Sequence, residues 1–288
     1  MSDETAIHDL GYRRYEGARV GGTGAWRAIY VQGVRTMFGL GRPAKSKILP
    51  VLILMATLLP ALAMVAAVSA SQGQLPVRYG PYLQAQAILF VFFIAAQAPE
   101  LLSRDQQHRL LPLLLTREVT RASYAWARLA AITTALFVIA LAPLLLLYIG
   151  EIGAAKDPAT VFEQMGTRIW PMLLQSALTS ITIGGVGAAF ASLTSRRAYA
   201  TASIIGVFLV AIAISSGLDD LTDASSLVAQ LLNPLRALGV TAYLLFAETT
   251  RGMELEPPAS VWVYASALVA IGMTGAAMLH WRVRRMVV

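Results

Sequence analysis

The sequence predicts an all-α integral membrane protein with six transmembrane helices, an N-terminal amphipathic interfacial helix and both termini in the cytoplasm. Six stretches of 21 to 30 residues contain no Asp, Glu, Lys or Arg. Only 14% of the 288 residues are charged, against about 25% in soluble domains. The number of basic residues in successive connecting segments alternates between high and low, which is typical of the two sides of a membrane.

The uncharged stretches define the six predicted helices, because a membrane-spanning helix needs about 20 mainly apolar residues. Around them, 18 Lys and Arg residues fall on one side and 5 on the other. The positive-inside rule places the side with 18 in the cytoplasm. We expect a cytoplasmic segment 1–47, a six-span domain 48–281 and a cytoplasmic tail 282–288. The uncharged stretches are 48–77, 79–99, 129–150, 169–195, 198–218 and 257–281.

The helix before the first span is predicted over residues 25–40. Apolar side chains recur there at helical spacing, including Trp26, Ile29 and Met37, whereas Gln32 falls on the other face. This pattern favours a helix lying in the cytoplasmic membrane interface. A short amphipathic cap without a role is the alternative.

The cytoplasmic segment 99–128 lies between the second and third spans. It carries five arginines and three carboxylates around a Leu-rich centre. Ser103 followed by Gln106 resembles a capping box, and Thr120 is suited to cap the third span. The segment is suited to present a helix to a partner protein, although a basic loop that only fixes orientation is the alternative.

The external segment 219–256 is acidic and includes an apolar stretch, 227–247, that is interrupted by Arg236. An arginine in the middle of a bilayer costs at least about 2.5 kcal/mol. We therefore expect 227–247 to form an amphipathic or re-entrant helix packed at the outer surface. In the fourth span, Gly184 and Ala188 form a small-residue pattern that favours close helix packing within the chain over a dimer contact.

Several kinds of chemistry are excluded by the sequence. There is no GxxxxGK[ST] phosphate loop, no HExxH and no GxSxG motif, and the chain has no cysteine. Its three histidines, His8, His108 and His280, are too scattered for a metal site. We expect no catalytic residue, no metal, no cofactor bound by this chain and no nucleic-acid partner.

An ion relay within the membrane is also not expected, because the six stretches hold no charged residue. Their polar groups include four glutamines, for which hydrogen bonds between helices are favoured over substrate contacts. A transporter of this composition needs an external motor. The four residues are Gln84, Gln86, Gln97 and Gln175.

Three features together resemble the membrane subunit of ABC-2-type ABC transporters. The first is the six-span topology with an interfacial helix. The second is the segment 99–128, whose core LLLTREVTR (113–121) is similar to a recurring pattern of the family, although Glu118 stands where Pro is frequent. The third is the N-terminal run DLGYRRYEG (9–17).

The resemblance implies a permease, an exporter in a bacterial inner membrane, which pairs with a second permease subunit as a homo- or heterodimer. Each permease docks one copy of a separate ATPase subunit, which holds ATP and Mg. By this resemblance, loop residues contact the ATPase, with Arg196 and Arg197 as a secondary contact. The loop residues are Glu100, Arg104, Asp105, Arg109, Glu118 and Arg121.

Two other functions remain open at this point: a membrane scaffold or assembly factor that moves nothing, and an ion-coupled carrier, which the uncharged spans disfavour. No motif identifies the substrate, since apolar spans with small residues and glutamines fit lipids, drugs and peptides equally.

Overall fold

The structure is a computed structural model that describes residues 21–71, 75–108, 112, 119–155, 159, 165–222, 227–247 and 258–286. No strand occurs within these ranges, which agrees with the predicted all-α class. Its helices are α1 (Gly22–Met37), α2 (Lys45–Ala70), α3 (Tyr79–Leu101), α4 (Ser103–Gln107), α5 (Arg121–Ala154), α6 (Met165–Leu193), α7 (Arg197–Thr222), α8 (Leu227–Leu232), α9 (Pro234–Leu245) and α10 (Val261–Arg285).

Six of these helices, α2, α3, α5, α6, α7 and α10, are long and apolar enough to cross a membrane. They correspond to the six uncharged stretches, so the six predicted helices are confirmed, and the chain has the character of a multi-pass membrane protein. Helix α5 is the longest at 34 residues, or about 51 Å, and exceeds the roughly 30 Å of a hydrocarbon core.

The spans differ in how much protein surrounds them. In the most apolar stretch of α6, 72% of the residues are buried, whereas the figures for α2 and α7 are 22% and 17%. The interior is built from α3, α5, α6 and α10, with fully buried residues such as Ile132, Leu136 and Leu268. Helices α2 and α7 lie at the periphery and expose leucines and valines, which suits contact with lipid or with another membrane helix.

Glycines allow α6 and α10 to cross with their backbones in contact. A Cβ atom added to Gly185 would lie 2.4 Å from the carbonyl oxygen of Gly272, and one added to Gly275 would lie 2.4 Å from the oxygen of Gly185. In the same span, a Cβ atom at Gly184 would meet Thr133 of α5. The small residues of the fourth span therefore serve packing within the chain, as expected.

Residues 227–247 do not form a seventh span. They fold into α8 and α9, which are separated at Asn233, and the 12 residues of α9 cover only about 18 Å. Asn233 Oδ1 caps α9 by accepting hydrogen bonds from the backbone N–H groups of Leu235 and Arg236. Helix α9 packs against α3, α6 and α10, and residues 237–243 are all buried, so it is enclosed by other helices; its position on the outer side of the membrane stays a prediction.

Helix α1 ends earlier than predicted, at Met37. Gly39 has a φ of 67°, and the backbone N–H groups of Gly39 and Leu40 donate to the carbonyls of Thr36 and Arg35. This is a Schellman motif, so glycine ends the helix before Pro43 is reached. The apolar face of α1 was expected to lie in the membrane interface, whereas in the structure α1 packs on α5, where Tyr30 donates a 3.1 Å hydrogen bond to Thr134. Its position relative to the membrane surface stays a prediction.

A candidate docking site at the basic end of the helices

One end of the helix bundle, here called the basic end, gathers most of the described arginines. It comprises α4, the last turns of α3, α6 and α10, and the first turns of α2, α5 and α7. The predicted loop residues Glu100, Arg104, Asp105 and Arg121 and the secondary residues Arg196 and Arg197 all lie there. The cytoplasmic location of this end stays a prediction from the positive-inside rule.

Glu100 joins three separate parts of the chain at this end. Its Oε2 atom accepts a 2.7 Å hydrogen bond from Arg42, in the turn before α2, and lies 3.4 Å from Nη1 of Arg104 in α4. Its Oε1 atom pairs with Arg197 at the start of α7. The carboxylate side chain is 14% exposed, so this single group ties α2, α4 and α7 to the end of α3.

Asp105 is buried and forms a second centre. Its Oδ2 atom accepts hydrogen bonds from Arg128 Nη2 at 2.6 Å and from the Tyr124 hydroxyl at 2.7 Å, both of which belong to α5. The guanidinium of Arg128 also lies 5.4 Å from the centre of the Tyr124 ring. Breaking such a buried pair leaves an uncompensated charge, so Asp105 holds α4 firmly against α5.

Helix α4 is fixed to α6 as well. Ser103 donates a 2.8 Å hydrogen bond to the carbonyl of Ala191, and the Gln106 amide donates a 2.9 Å bond to the carbonyl of Ser192. The expected capping box is therefore wrong, because α4 has no side-chain cap and both side chains reach across to α6 instead. These bonds satisfy carbonyls at the last turn of α6 that have no partner within that helix.

The last turn of α10 joins the same network. Arg121 donates a 2.7 Å hydrogen bond to the carbonyl of Arg284, and Nε of Arg282 lies 3.4 Å from the carbonyl of Ser192. Thr120 caps α5 by accepting from the backbone N–H of Ser123, as predicted. Helix α10 is thus joined to α5 and α6 at the same end where α4 contacts α3, α5, α6 and α7.

The predicted partner-contact residues fall into three groups. Arg104 and Arg197 expose 51% and 59% of their side chains, and Arg196 is exposed while stacking on Tyr199, so these three can reach a partner protein. Glu100, Asp105 and Arg121 form the second group, because each is at least partly buried and already bonded within the chain. Arg109 and Glu118 lie outside the described residues.

Three residues of this network were not identified from the sequence. Arg42 pairs with Glu100, and Tyr124 and Arg128 pair with Asp105. The spacing of Tyr124 and Arg128 is a usable signal, since residues four apart share one face of a helix. No local pattern points from Arg42 to Glu100, because 58 residues separate them.

The opposite end of the bundle carries its own polar contacts. The Tyr79 hydroxyl donates a 2.7 Å hydrogen bond to Glu151, which also lies 3.6 Å from Arg168. Deeper in the bundle, the amide of Gln175 donates to the carbonyl of Leu238 in α9, so this glutamine makes the interhelical hydrogen bond that was expected. Arg236 of α9 pairs with Asp219 near the end of α7.

Within the described residues, no three His, Cys, Asp or Glu side chains are grouped closely enough to hold a metal ion. Comparison of the chain with protein-family models, with curated proteins and with solved structures gives no match.

Proposed function

We propose that the chain is the permease subunit of an ABC-2-type transporter, a dimeric exporter in a bacterial inner membrane that is driven by a separate ATPase. The observation that carries the proposal is the attachment of α4. This five-residue helix bonds to α5 and α6 through Asp105, Ser103 and Gln106, and Glu100 adds α2 and α7. A force applied at α4 is therefore passed to several spans at once.

In this function, the exposed side chains around α4 make the docking contact. Arg104, Arg196 and Arg197 present positive charge on this surface, and a partner with an acidic patch would complement it. The ion pairs of Asp105 and Glu100 would transmit movement of α4 to the spans of the permease. Arg109 and Glu118 remain proposed contacts on the strength of the sequence pattern.

The first test is co-purification. A tagged chain extracted in mild detergent is expected to bring down a Walker-type ATPase in a one-to-one ratio, and the neighbouring gene is expected to encode it. Reversal of both charges, Arg104→Glu with Arg196→Glu, should reduce ATPase binding at least about tenfold. Each exposed charge pair contributes up to about 1 kcal/mol, and the reversed charges would in addition repel an acidic patch.

The matched control is Arg78→Glu, a reversal of an exposed arginine next to α3 at the opposite end. It should leave ATPase binding unchanged. Absence of any ATPase would reject the transporter proposal. An ATPase that binds but drives no ATP-dependent flux in vesicles, over the candidate lipids, drugs and peptides, would favour the scaffold. Flux driven by an ion gradient without ATP would favour the carrier.

A further inference from the structure

A cavity of about 290 Å³ opens at the basic end between α1, α3, α4, α5 and the turn before α2. We propose that it binds a phosphate group, supplied by the headgroup of an anionic phospholipid in the adjacent leaflet. Binding of this kind requires no ATPase partner. Its lining residues include Gln32, Thr36, Arg42, Glu100, Arg104 and Arg128, with Asp105 and Leu101 completing the wall.

The charge of the cavity favours an anion. Three arginines, Arg42, Arg104 and Arg128, face two carboxylates, and the carboxylate of Glu100 is further engaged by Arg197 from outside the cavity. Arg42 and Arg104 share a single oxygen atom, Oε2 of Glu100. Each guanidinium has five N–H donors, so one shared acceptor leaves most of their donors available for an anion.

Arg128 adds a buried donor at the same place. Its side chain is 8% exposed, and while Nη2 binds Asp105, its Nε atom has no hydrogen-bond partner. A buried donor without a partner is costly, by about 1–3 kcal/mol. A phosphate oxygen that enters the cavity would bring acceptors next to Arg128, and arginine recognises phosphate in a bidentate manner.

The cavity also lies where a lipid headgroup would be found. Arg42 precedes α2 by three residues, and from Ile48 onward α2 exposes apolar side chains, including Ile48 at 63% and Leu52 at 63%. Leu40, in the same turn as Arg42, is 50% exposed. The boundary between lipid and water therefore falls at the mouth of the cavity, and basic pockets between spans on the cytoplasmic side are typical phospholipid sites.

The test uses the full chain purified in a neutral detergent. Binding of a short-chain phosphatidylglycerol is measured by native mass spectrometry, against phosphatidylcholine of the same chain length and against inorganic phosphate. We expect a single saturable phosphatidylglycerol site, and Arg42→Gln should weaken it at least about tenfold, because a charge-assisted hydrogen bond is lost. Arg104→Gln changes a more exposed side chain and should weaken phosphatidylglycerol binding to a smaller extent. This second variant keeps the test decisive if Arg42→Gln does not fold.

Arg27→Gln is the matched control, since it removes the same charge from an exposed position on α1 that does not line the cavity. If inorganic phosphate binds saturably and Arg42→Gln abolishes that binding, the phosphate site is supported, and its ligand is a soluble phosphate compound. Equal binding of phosphatidylcholine and phosphatidylglycerol would overturn the proposal, as would equal losses in Arg42→Gln and Arg27→Gln.

Discussion

Arg128 Nη2 lies 2.6 Å from Asp105 Oδ2, and the two side chains are only 8% and 10% exposed. The pair connects the short helix α4 with the first turns of the longest span, α5. A hydrogen bond from Tyr124 to the same carboxylate oxygen completes the contact. The strongest connection between α4 and α5 is thus formed by a residue whose sequence position first suggested contact with another protein.

Replacement of Asp105 by alanine should destabilise the protein by about 3–5 kcal/mol, because Arg128 would remain buried without its counter-ion. The double variant Asp105→Leu with Arg128→Met should recover most of the loss, since both charges are then removed. Unfolding in mixed micelles measures the difference. Arg104→Ala on the same helix is the control and should cost less than about 1 kcal/mol. Equal stability of the two single variants would contradict the buried pair.

Because the backbones of α6 and α10 are in contact where they cross, a single added methyl group is expected to lower the stability strongly. Gly185→Ala should cost about 1–3 kcal/mol, because the new Cβ atom meets the backbone of Gly272. Gly206→Ala in α7 is the matched control, since no atom lies within 4 Å of its added Cβ atom. That variant should be neutral or stabilising by up to about 1 kcal/mol. Thermal unfolding of both purified variants distinguishes them.

The start of α9 depends on Asn233. Substitution by alanine removes the acceptor for two backbone N–H groups and should cost about 0.5–2 kcal/mol, whereas serine should retain most of the stability. Hydrogen–deuterium exchange of the peptide that contains Leu235 and Arg236 is the direct measurement. Faster exchange in Asn233→Ala than in Asn233→Ser is expected. Identical exchange in both would show that the cap does not hold the helix.

The position of α9 can be tested by a disulfide, because the chain contains no cysteine. A Cβ atom at Gly239 would lie 3.7 Å from Cβ of Gln84, and the typical separation in a disulfide is about 3.8 Å. The variant with Gly239→Cys and Gln84→Cys should lose both free thiols on mild oxidation. Gly217→Cys with Gln84→Cys is the control and should keep them. Free thiols in the first pair would place α9 elsewhere.

The spans could be predicted from the sequence because a charged side chain in hydrocarbon is unfavourable at every position of a helix, whatever its neighbours are. The cap at Thr120 could be predicted for a similar reason, since its partner Ser123 is three residues away. Ser103 shows the limit of such reasoning. Its local pattern indicates a cap, but the hydroxyl donates to Ala191, which lies 88 residues away in the sequence.

Burial of α9 could not be predicted, because an apolar helix has the same composition whether it faces lipid or protein. The same ambiguity applies to α1, whose apolar face was identified but whose partner, α5, was not. At the basic end, the residue types of Glu100 and Asp105 suggested a polar role. Which arginine pairs with each carboxylate depends on how α2, α5 and α7 pack around these two residues, and the sequence of a single segment does not determine that packing.

The glycines at the crossing of α6 and α10 bear on how such a bundle can change shape. Backbones in direct contact leave no layer of side chains that could shear or re-pack between the two helices. The two helices are therefore expected to move together as one rigid body. Any large rearrangement must be taken up elsewhere, and α2 and α7, with 22% and 17% of their apolar stretches buried, are the helices that are least restrained.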